Sequence, residues 1–87
     1  MVDYGTVSDA VDTALTNDGK APDDTQVMQS SPYGFDNSFL MRDFLLDVSH
    51  ELNKGGVDLN VDDLNIVGLM SRTVLQVKQA IYADLTT

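Results

Sequence analysis

The stretch Ser31–Leu52, SPYGFDNSFLMRDFLLDVSHEL, decides how the chain is read. It passes from a turn signal, Pro32 to Gly34, through the polar run Asp36-Asn37-Ser38 into a strongly apolar segment. From Ser38 to about Asn53 the apolar residues recur at helical spacing. Phe44, Leu45, Val48 and Leu52 make one stripe, and Met41 extends it, as on a core-facing helix. Phe39, Leu40 and Leu46 lie off that stripe, which is more apolar surface than one core-facing side needs. Asn53-Lys54-Gly55-Gly56 then supplies a glycine stop.

On either side of this helix the pattern stays helical. A first helix is expected over about Thr6 to Thr16, with Val7, Ala10, Val11, Ala14 and Leu15 at helical spacing and Thr6 or Ser8 as its cap. Gly19 and Pro22 end it. A polar loop of roughly eighteen residues follows, from about Lys20 to Asn37, with Val27, Met28, Tyr33 and Phe35 as its apolar anchors. Loops of this length are commonly functional or partly disordered. After the second helix, Val57, Leu59 and Val61 alternate, but a short extended connection is preferred to a strand. Asp62 or Asn60 would cap a short third helix through Leu64, Ile66, Val67 and Leu69. The last helix is expected over about Ser71 to Leu85, with Val74, Val77, Ile81 and Leu85 on one face. The expected class is all-α: a small four-helix bundle with one long loop between its first two helices, forming one domain over residues 1–87.

Composition narrows the chemistry. A chain of 87 residues buries only about 60–65% of its unfolded surface, so its elements must match well. It has no cysteine and one histidine, His50. That removes disulfides and cysteine-based metal sites, and a histidine-based metal site has too few ligands. The net charge is -9, from 14 acidic against 5 basic residues. This disfavours nucleic acid and anionic membranes, and favours basic partners. No apolar run reaches the roughly 20 residues of a membrane span. The acidic beginning, MVDYGTVSDAVD, does not read as a secretory signal, so a cytoplasmic monomer is expected. Glu51 is the one glutamate among the acids, and aspartate favours caps and loops over helix interiors.

Two other features carry less. Asp58, Asn60 and Asp62 open like a calcium loop. The sixth position, however, is Asp63 instead of glycine, and the twelfth is Leu69 instead of a bidentate glutamate. His50 sits between Ser49 and Glu51, which face other directions on a helix, so it reads as a surface residue. No set of acid, base and nucleophile converges, and no phosphate-binding loop is present. The chain is therefore expected to be non-catalytic.

Ser38 is the candidate site. Asp36, Asn37 or Ser38 would each cap the second helix, for about 1 kcal/mol. Three caps in a row exceed what one helix end needs. A helix N-terminus also favours an anion, through its free amides and its dipole. A serine hydroxyl there, after an exposed loop, suits a phosphate-linked group.

This pattern resembles the acyl carrier protein family, including its peptidyl carrier relatives. The family's Asp-Ser-Leu signature stands at the start of its second helix; here Asn37-Ser38-Phe39 holds that place. SFLMRDFLLDVSHEL has the family's helix length. GVDLNVDDL is similar to its following connection, and TVLQVKQAI (Thr73 to Ile81) to its last helix. The resemblance implies a 4′-phosphopantetheine arm on Ser38, with Asp36, Asn37 and Phe39 around the attachment point. It implies a phosphopantetheinyl transferase, acyl- or aminoacyl-loading enzymes and synthase enzymes as partners, in fatty acid or polyketide biosynthesis or a related pathway. The family's signature aspartate helps the transferase hold magnesium; here asparagine replaces it and the nearest aspartate is Asp36. The second helix shows Arg42, Asp43, Ser49 and His50 in place of the family's row of acids, which points to a specialised carrier. Phe39, Leu40, Arg42, Asp43, Leu46 and His50 are the candidate partner contacts. Phe39, Leu40 and Leu46 also read as plain core, Leu46 first among them. The alternative function is a cofactor-free docking module that uses the apolar face of the second helix, with Ser38 as a cap only.

Overall fold

A computed structural model describes residues 2–87. Four α-helices follow in order: α1 Tyr4–Asn17, α2 Ser38–Lys54, α3 Ile66–Met70 and α4 Val74–Thr86, with a 3-10 turn at Val61–Asp63 before α3. The only β-pairing among the described residues is an isolated bridge between Val27 and Thr73. The class is all-α, as the periodicity predicts. Among the described residues, no helix is long and apolar enough to cross a membrane.

The core is one cluster drawn from every helix and from the long loop. Val7, Val11, Ala14 and Leu15 of α1 meet Met41, Phe44, Leu45, Val48 and Leu52 of α2, and Val74, Val77 and Ile81 of α4. The expected α2 stripe is thus wholly buried. Each such side chain contributes about 1.5–3 kcal/mol, an upper figure because the unfolded chain already buries some surface. α1 packs on both α2 and α4, and α2 on α3 and the 3-10 turn. Both long helices end alike. Lys20 N–H donates to Leu15 O across Gly19, and Val57 N–H donates to Leu52 O across Gly56. Gly19 and Gly56 have φ of 77° and 81°, which a side chain would disfavour.

Three boundaries differ from expectation. α1 starts a turn early, because Asp3 and not Thr6 or Ser8 is the cap. Asp3 Oδ1 accepts from Thr6 N–H at 2.7 Å and from Thr6 Oγ1 at 2.9 Å. These bonds, that from the Thr6 N–H first, hold the Asp3 carboxyl below its usual range. The added turn places Tyr4 edge-on against Tyr82, with centroids 5.7 Å apart. The expected third helix is split. Asn60 Oδ1 accepts from Asp62 N–H and begins the 3-10 turn; Leu64 is extended; Asn65 then starts α3 by accepting from Gly68 N–H. A Cβ at Gly68 would come within 2.5 Å of Asn65 Nδ2, so glycine admits this cap. α4 begins at Val74, not Ser71, behind a capping box between Thr73 and Gln76.

The long loop is anchored at intervals. Met28, Tyr33 and Phe35 are buried, and Phe35 packs at a tilt against Phe44 with centroids 4.8 Å apart. The Tyr33 hydroxyl donates to Ala21 O at 2.7 Å and accepts from Asp23 N–H at 2.9 Å. The loop also closes the start of α4. Gln26 O accepts from Val74 N–H, and Asp24 O from Leu75 N–H. Met28 and Gln29 donate to Arg72 O and Met70 O.

Candidate functional site

Ser38 is the first residue of α2 and is exposed. Of the three candidate caps, Asn37 holds the position. Its Oδ1 accepts from Leu40 N–H at 2.9 Å, and its backbone carbonyl accepts from Met41 N–H. The Ser38 hydroxyl is therefore not used as a cap. The Ser38 and Phe39 amides precede the first intrahelical bond and point from the positive end of a 17-residue helix. Asp36 is exposed one residue before Asn37. An exposed hydroxyl, two free amides and a helix dipole thus converge on one spot, which suits a phosphodiester on Ser38 Oγ. Asn37 carries an amide and so adds no carboxylate there; the exposed Asp36, one residue earlier, does carry one.

The solvent face of α2 continues from this spot. Phe39 is 79% exposed, Leu40 45% and Leu46 43%. Reading them as core, Leu46 above all, is therefore incorrect. The reason is angular: the buried stripe is already filled by five residues, and at 100° per residue Leu46 points almost opposite to it. Phe39, Asp43, Leu46 and His50 follow at i, i+4, i+7 and i+11 and share the solvent side; all four are exposed.

Arg42 and Ser49 lie toward another edge and are committed there. Arg42 Nη1 meets Asp62 Oδ1 at 2.6 Å, and the Ser49 hydroxyl donates to Leu59 O at 3.1 Å. The oxygens of the calcium-like segment have protein partners: Asp58 accepts from Asn53, Asn60 from the Asp62 amide, and Asp62 from Arg42.

An open depression of about 430 Å³ lies beside this face, lined by Asp18, Leu40, Asp43, Phe44, Leu46 and Asp47. Asp47 and Asp18 were not singled out by the sequence pattern. Leu40, Asp43 and Asp47 at i, i+3 and i+7 carry a signal for the first; nothing local connects Asp18, the C-cap of α1, to α2. Ser38 is not part of its lining. No family model, no curated protein and no solved structure matches this chain.

Proposed function

We propose that the protein is an acyl or aminoacyl carrier of the acyl-carrier type, non-catalytic, with a 4′-phosphopantetheine arm attached to Ser38. The observation that carries this reading is the exposed Ser38 hydroxyl at the open N-terminus of α2, with its neighbour Asn37 taking over the capping. When bound, the arm supplies the thiol that a chain without cysteine lacks, and holds cargo as a thioester. The chain's own residues do the rest. The Ser38 and Phe39 amides would offer donors to the phosphodiester. Asn37 keeps the first turn wound so that these amides stay parallel. Asp36 offers a carboxylate beside the attachment point. Phe39, Leu40, Asp43, Leu46 and His50, with Arg42 at the edge, give partner enzymes a small mixed surface. Contacts of this kind bury under about 1,200 Å² and release readily. A carrier handed between a transferase, loading enzymes and synthases in the cytoplasm needs that reversibility.

The exposure of Phe39, Leu40 and Leu46 also favours a second reading, a docking module without cofactor that seats a partner helix on α2. Intact-mass measurement separates the two. Incubation with coenzyme A and a broad-specificity phosphopantetheinyl transferase is expected to add about 340 Da, the mass of the arm whose phosphate suits the helix N-terminus. Ser38→Ala is expected to abolish the gain. No gain with several transferases would leave the docking module as the function.

A further inference from the structure

Asp24–Val27 crosses the start of α4 with little burial of its own. Asp24 and Thr25 are exposed, and Gln26 and Val27 are half-buried. Two backbone bonds hold it to α4, Val74 N–H to Gln26 O at 2.9 Å and Leu75 N–H to Asp24 O at 3.1 Å. The Gln26 amide adds a tie to Ser31 O at 2.9 Å. The segment is pinned at both ends by different means. On one side Met28 is fully buried and bonds to Arg72 O. On the other, Asp23 N–H is held by the Tyr33 hydroxyl.

One charged group spans the middle. Lys78 is 2% exposed. Its ammonium lies 2.7 Å from Asp24 Oδ1 on the loop and 2.8 Å from Asp12 Oδ1 on α1. Both carboxylates remain partly in water, with side chains 51% and 37% exposed. The buried partner is thus the ammonium, and lifting Asp24 away would strip a dry cation of one of its two counter-charges.

We infer that Asp24–Val27 is a latched strap, opening and closing over the start of α4 as one unit between the Asp23 and Met28 pivots, with the Lys78–Asp24 contact setting how often it opens. Opening bares the Val74 and Leu75 amides, the first two donors of α4, while Met28, Gln29 and the core stay in place. The inference is independent of what Ser38 carries.

Residue-resolved amide hydrogen exchange on the full chain tests it. In Lys78→Met, which keeps the apolar stem, Val74 and Leu75 should exchange about tenfold faster, while Met28, Gln29, Leu45 and Val48 change by less than about twofold. Asp24→Asn, at an exposed position, should give the same pattern. Asp12→Asn should leave Val74 and Leu75 within about twofold, because Asp12 is on α1 and not on the strap. Parallel acceleration of all these amides would mean global loosening and would overturn the strap. Unchanged Val74 and Leu75 in both Lys78→Met and Asp24→Asn would overturn the latch.

Discussion

The N-termini of α2 and α4 start from the same chemistry and end differently. Each has a short polar cap, Asn37 or Thr73, that takes the third amide of its helix, Leu40 or Gln76. At α4 the first two amides, Val74 and Leu75, are also taken, by carbonyls of a loop nearly fifty residues earlier in the chain. At α2 the corresponding amides, of the exposed residues Ser38 and Phe39, donate to no group among the described residues. The fold closes one positive pole with its own backbone and leaves the other open beside a hydroxyl. Beyond the capping box at α4, what distinguishes the two ends is tertiary packing, since each cap side chain takes the same amide.

The largest test of this contrast removes the anchor that positions the loop over α4. Met28→Ala should cost about 2–5 kcal/mol in urea denaturation, since Met28 is fully buried. A loss under about 1 kcal/mol would mean that the loop holds its place without the core.

Smaller effects come from the caps. Asn37→Ala and Thr73→Ala should each cost about 1 kcal/mol. The Thr73 loss should also speed exchange at Gln76, and the Asn37 loss at Leu40. If Asn37→Ala costs nothing, Ser38 has taken over as cap, and the open pole is not available to a ligand.

The subtlest effect is in alkali. Burial disfavours the Lys78 ammonium, but Asp12 and Asp24 outweigh it and hold the amine above its ordinary 10.5. The resulting stability is fully present below the unfolded value and is lost as pH rises through the folded one. Tyr33 acts in the same sense, because burial raises its phenol above its usual 10.0. Melting temperature should therefore fall on the alkaline side. Lys78→Met should flatten that limb and Tyr33→Phe should trim it; an unchanged limb in both would remove these groups as its cause.

Much of this was legible in the residues. The α2 stripe, its start at Ser38, the glycine stops at Gly19 and Gly56, and the loop anchors Met28, Tyr33 and Phe35 all follow from spacing and turn chemistry. The α1 cap was missed because Asp3 precedes an aromatic residue whose partner, Tyr82, lies at the other end of the chain. The split of the third helix turns on Asn65, a competing cap inside an apolar run. Leu46 was misplaced because type alone suggested core, whereas its angle on α2 did not. The closure of α4 was not legible at all: it depends on backbone carbonyls, which carry no side-chain signal. Ser38 itself was legible as a candidate, because three cap-type residues, Asp36, Asn37 and Ser38, crowd the start of one helix.

The Lys78 node has a kinetic consequence. Its partners lie on α1 and on the loop, and the Lys78–Asp24 contact joins residues 54 apart in sequence. Contacts of such separation come at a high loop-closure cost and tend to form after local helices have paired. Weakening this one should therefore leave the folding rate nearly unchanged and quicken unfolding, so the node acts as a brake on the way out of the native state.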